Sequence, residues 1–193
     1  MTIDLTPTTR AVAAVVTGIG DDQLDRSTPC TGMTVAALLD HLHGLAHAFR
    51  LAAEKAPEAL ETAPRADAAH LEPDWRTAIP ARLDALADAW RDPSAWTGMT
   101  AAGGIELPGE VAGTVALDEL VLHGWDLAVA TGQDFTPDDD AVGAVLGFTE
   151  SMSAPGQEAS REGLFGPVVP VPEDAPAFDR ALGFSGRDPQ WKP

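Results

Sequence analysis

The run PGEVAGTVALDELVLHGWDLAVAT, residues 108–131, decides the fold class. Pro108 suits the first turn of a helix, and Gly132 stands just beyond Thr131 as a stop. Gly113, Ala116, Leu117, Leu120, Val121, Gly124, Leu127 and Ala128 fall on one broad apolar and small-residue face. Leu122, Trp125 and Val129 cover much of the opposite side, so the helix is expected to be buried almost all round. Into that setting the sequence places Glu119 and His123, four apart and therefore side by side, with Asp126 following on the same flank.

Further helices are expected on both sides of this run. Thr6-Pro7 reads as a cap and first residue for an Ala/Val-rich helix over 8–16, ended by Gly18 and Gly20. After a loop from Asp21 to Gly32, Thr34 caps a longer helix. Its apolar face is Val35, Leu38, Leu39, Leu42, Leu45, Ala46 and Phe49. The mixed stretch 57–74 reads as a mobile connection. Leu83, Leu86, Ala87 and Trp90 mark a third helix that Pro80 starts or kinks and Asp92-Pro93 closes. Gly98, Gly103 and Gly104 lie in a loop, and Thr136-Pro137 signals a fifth helix carrying Val142, Val145, Leu146 and Phe148.

The Pro- and Gly-rich remainder holds one short helical candidate, from Glu173 to Leu182. Its extended run 167–172 is too rich in proline for a central strand. Short loops between helices argue for an all-α, up-and-down four-helix bundle with an additional helix. The division expected is a helical metal-binding domain over 1–154 and a C-terminal extension over 155–193 packed on it.

Composition narrows the function. The 12 Lys+Arg against 30 Asp+Glu leave a net charge of −18, which repels nucleic acid and anionic membranes alike. Cys30 is the only cysteine, so no intrachain disulfide forms, as suits a reducing compartment. No leader or membrane-spanning run is visible, and a cytoplasmic protein, monomer or homodimer, is expected.

Ionised groups are rarely buried unless paired or bound to a metal. Glu119 and His123 can present a carboxylate oxygen and an imidazole nitrogen to one ion, as facing helices of bundles do. The blander reading is a Glu–His hydrogen bond. A third ligand must come from the helix after Thr34, where His41 and His43 border opposite edges of the apolar face and His47 lies near the back. Spacing does not choose between His41 and His43. The His43–His47 pair has no acidic company and reads as mostly solvated, and His70 sits in the mixed connection. Cys30, with only Arg26 as a basic neighbour in sequence, reads as a small buried hydrophobe rather than a nucleophile.

Leu38-Leu39-Asp40-His41-Leu42-His43-Gly44 and the segment from Glu119 to Ala128 resemble the two metal-bearing segments of the mycothiol-dependent maleylpyruvate isomerase and DinB-like superfamily. The nearest likeness within it is to actinobacterial proteins known only as metal-binding. Thr28-Pro29-Cys30-Thr31, Phe165-Gly166-Pro167 and Gly186-Arg187-Asp188-Pro189-Gln190-Trp191 extend the resemblance over most of the chain. Where many relatives carry a tryptophan near the start of the second helix, this chain has Met33.

The resemblance implies a DinB-like bundle with a zinc-type site, and it places the ligands on His41, Glu119 and His123. Nickel or iron would suit the same donors. It also implies a low-molecular-weight thiol such as mycothiol as cofactor.

Three ligands leave a coordination position open, the mark of a catalytic site. The function expected is a metal-dependent, thiol-using isomerase or S-transferase acting on a small electrophile, with Asp126 orienting the site from behind the ligands. The alternatives are a non-catalytic binder of a metal or small ligand, and a bundle whose Glu–His pair is purely structural. Trp125 and Trp191 read as packing anchors, and the segment 163–172 as a brace or a lid.

Overall fold

The computed structural model describes residues 2–61, 66–161 and 163–193. Seven helices are present among them: α1 (Thr6–Gly18), α2 (Val35–Glu54), α3 (Trp75–Trp90), α4 (Gly109–Thr131), α5 (Asp139–Met152), α6 (Glu158–Arg161) and α7 (Ala177–Phe184). Strands β1 (Met99–Ala102) and β2 (Ile105–Pro108) pair antiparallel just before α4.

Local chemistry explains the starts of α2 and α5. The Thr34 hydroxyl accepts the Ala37 amide and caps α2 as expected. The cap of α5 falls on Asp138 rather than Thr136, because the Asp138 carboxylate takes the Ala141 amide and sits with Asp139 and Asp140 at the positive end of the helix. Pro80 lies inside α3, which begins at Trp75. The expected loop through Gly103 and Gly104 is a hairpin turn, both glycines having positive φ as such a turn requires. The Thr100 hydroxyl ties the hairpin to α2 by donating to the Ala52 carbonyl.

The connection expected over 57–74 lies partly outside the described residues, which omit 62–65. Its described parts form two tight 3₁₀ turns, Pro57–Leu60 and Ala68–His70. The tail holds two helices rather than one, and α7 starts four residues later than expected and runs past Gly183.

Helices α1 to α4 pack in the order α1, α3, α2, α4 and back to α1. Of the successive pairs among them, only α2 and α3 pack extensively. A simple up-and-down path, with each helix beside the next, is therefore not what the chain follows. The long connections 19–34 and 91–108 allow it to cross between non-adjacent positions. Val12, Val16, Leu38, Leu42, Leu83, Leu86, Leu120 and Leu127 fill the core between these helices.

A second core lies on the other side of α4, where Leu117, Val121, Leu122 and Trp125 meet Val145 of α5 and Leu182 of α7. The all-round burial expected of α4 follows from standing between two cores. Its tight approach to α1 uses Gly124, where a Cβ would lie 2.9 Å from Val12 and 2.7 Å from the Phe135 ring.

Candidate functional site

α2 and α4 meet at a cavity of about 390 Å³ whose wall includes His41, Asp118, Glu119 and His123. The rings of His41 and His123 meet edge to face with centroids 5.2 Å apart. One ligand atom from each of His41, Glu119 and His123 lies within 4.8 Å of the other two. His123 is held from both sides. Its Nε2 stands 2.9 Å from Glu119 Oε2, and its Nδ1 stands 3.0 Å from Asp126 Oδ2.

Asp126 is gripped in turn by Arg187, from far along the chain. Nε donates to Oδ1 at 2.8 Å and Nη2 to Oδ2 at 2.7 Å, a two-pronged, charge-assisted pair. Asp126 is wholly buried and Arg187 is 8% exposed.

Cys30, His123 and Asp126 form a second group whose ligand atoms are equally close. The chemistry separates the two groups. A cation at Asp126 would have to displace the guanidinium that already neutralises it, whereas the groups beside Glu119 are two imidazoles, which suit a divalent ion. His43 is not brought to the cavity. It lies half-buried at the seam with α3, where Arg82 donates to its backbone carbonyl, so the expectation that His43 and His47 are mostly solvated is corrected.

The family model for the mycothiol maleylpyruvate isomerase N-terminal domain matches residues 5–128. The chain belongs to that family. The matched span carries His41, Glu119, His123 and Asp126, and it stops short of Arg187. Two proteins of Mycobacterium tuberculosis, one from each of two strains and both described as uncharacterized, are 28% identical to this chain over 188 residues. The match covers 92% of this chain and 92% of theirs, so actinobacterial likeness reaches beyond residue 128, where the family model ends. No solved structure matches significantly.

The electrostatics of this family member follow from what each group faces. Burial disfavours a charged His123, but the hydrogen bonds to Asp126 and Glu119 outweigh it and raise its pKa to about 9. Burial likewise opposes ionisation of Glu119 and Asp126. The His123 hydrogen bond holds Glu119 below its ordinary value, and the Arg187 charge does the same for Asp126. Asp118 has no such partner. Burial and the neighbouring Glu119 charge push its pKa well above the ordinary carboxylate value. Burial also pushes the Cys30 thiol on the cavity wall up to about 11, with the Asp126 charge adding to it, which disfavours its thiolate.

Two contributors escaped the sequence reading. Asp118 stands out in hindsight as a further acid, beside Glu119 and Asp126, in a helix that is apolar on nearly every side. Arg187 lay within the family-like segment 186–191, but nothing local pointed it to Asp126, which lies 61 positions away. The segment 163–166 does line the cavity, and it is fixed there by Arg161, whose side chain donates to the Gly166 and Phe184 carbonyls. Among the described residues no helix is long and apolar enough to cross a membrane.

Proposed function

We propose that this chain is a DinB-like four-helix-bundle enzyme that holds one zinc-type divalent ion through His41, Glu119 and His123. With it the chain uses a low-molecular-weight thiol, of the mycothiol kind, on a small electrophilic substrate. Residues 1–154 form the metal-binding domain and residues 155–193 an extension that completes its wall. The observation that carries this reading is the convergence of two imidazoles and one carboxylate within 4.8 Å on the wall of a cavity large enough for a small ligand.

The donor set fits the ion. Asp126 accepts from Nδ1 of His123, which leaves Nε2 as the ligand nitrogen, aimed at the point that Glu119 also faces. When bound, a divalent ion supplies Lewis acidity that lowers the pKa of a thiol or water beside it. The chain's own part is to hold the reactants together and to keep bulk water out. His41 and His123 form one wall of the cavity, and Leu122 and Phe165 give it apolar surface. Cys30, held protonated, leaves the added thiol as the nucleophile.

A second reading has its own support. Glu119, His123, Asp126 and Arg187 satisfy one another in an unbroken chain of hydrogen bonds, which would suit a purely structural role. Elemental analysis of protein purified without a histidine tag decides between them. Stoichiometric metal in the native chain, lost in His123→Ala, supports the metal site and opens thiol and electrophile screening. A native chain that takes up no zinc, even when zinc is added, leaves the structural reading.

A further inference from the structure

We infer that Arg187 is a positioning residue for the metal site: acting only through Asp126, it sets the orientation of the His123 imidazole, so that the C-terminal segment is part of the site itself. The inference rests on the metal reading above and goes beyond it. Arg187 lies outside the residues that the family model matches.

The geometry begins with α7. At its end the Gly186 amide donates to the Gly183 carbonyl and the Arg187 amide to the Leu182 carbonyl, a double closure of the last turn. Gly186 has φ of +86°, and a Cβ there would lie 2.8 Å from the Gly166 backbone, so only glycine fits comfortably. This cap turns the chain back towards α4 and delivers the Arg187 side chain to Asp126. Nη1 lies 3.3 Å from the Ser185 hydroxyl, which steadies the fork from its own side.

Asp126 Oδ2 is the shared atom. It accepts from Nη2 of Arg187 and faces Nδ1 of His123. A carboxylate behind a ligand histidine fixes both the ring orientation and which nitrogen is left for the metal. The two-pronged grip removes the rotational freedom Asp126 would otherwise have, because a planar fork meets both carboxylate oxygens at once. By reciprocity of linkage, an ion that favours the held ring also favours the docked tail.

The test is a double-variant cycle on the full chain, read by zinc competition with a chromophoric chelator and by the visible spectrum of the cobalt(II)-loaded protein. Asp126→Asn is expected to weaken zinc binding about 10–100-fold, and Arg187→Ala about 10-fold with an altered cobalt spectrum. Adding Arg187→Ala to Asp126→Asn is expected to cost nothing further. Arg187→Lys, which keeps the charge but loses the fork, is expected to fall between native and Arg187→Ala.

Arg187→Ala protein that melts lower yet binds zinc as tightly as the native chain overturns the inference and leaves Arg187 a structural anchor. A full Arg187→Ala penalty in the Asp126→Asn background overturns it as well. Should Arg187→Ala not fold, Arg187→Lys carries the same comparison. A native chain that binds neither zinc nor cobalt overturns the metal reading and this inference together. Native binding with unaffected variants overturns this inference alone.

Discussion

Two pairs of side chains in this molecule share the same helical spacing and have opposite fates. Glu119 and His123 on α4, and His43 and His47 on α2, each stand four residues apart. His123 is held between two carboxylates, which raise its pKa despite burial. His43 and His47 have burial and the Arg82 charge against them, and both are lowered. Spacing brings two side chains together, but the elements packed opposite decide whether the pair becomes a cation, a neutral base or a ligand.

The largest difference is expected between His123→Ala and His47→Ala. His123→Ala is expected to weaken zinc binding by more than about 100-fold, beyond the usual effect of residues behind the ligands. His47→Ala is expected to leave metal content unchanged, and a loss there equal to that in His123→Ala would refute the ligand assignment. Glu119→Gln comes next. It keeps the shape but removes the charge, and equilibrium dialysis should show zinc affinity reduced by at least about tenfold.

Gly124→Ala tests the packing beside His123. The new methyl meets Val12 and the Phe135 ring, and denaturant titration should show a loss of about 1–3 kcal/mol.

The acid–base contrast gives a smaller effect of definite sign. In chelator-treated protein, a histidine with raised pKa contributes stability that is fully present below about 6.5 and is lost as pH rises through about 9. His43 and His47 are lowered, so their contribution is present above the ordinary histidine value and is lost as pH falls. Denaturation between pH 6.5 and pH 9 should therefore show a downward slope in the native chain that is reduced in His123→Gln. An unchanged slope would remove His123 as its source. The smallest effect belongs to His47→Gln on the half-buried outer seam, where stability should stay within about 0.5 kcal/mol.

Much of this arrangement was legible in the chain. The all-round apolar run of α4, the apolar stripe of α2 and the Thr34 cap are local patterns, and local patterns survive folding because each is set by near neighbours. The hairpin was missed because its two strands are only four residues each, the first half alanine and the second ending in proline, although the Gly103-Gly104 pair was its signal. The order of the four helices was misjudged because loop length constrains which helices touch only when loops are short.

Within the site, Glu119, His123 and the flank position of Asp126 came from helical spacing alone. The choice of His41 over His43 came from family likeness, and the structure places His41 at the cavity with Glu119 and His123.

What the sequence determined by itself, then, was the helical character of the chain and the pairing of Glu119 with His123, because both depend on contacts within one or two turns. The tertiary structure alone decided that His41 faces that pair across the α2–α4 seam, that Asp118 is buried with its Oδ1 meeting no hydrogen-bond partner among the described residues, and that Arg187 grips Asp126. Those are meetings between residues tens of positions apart, made by packing and by the left-handed turn at Gly186, and no periodicity in the chain encodes them.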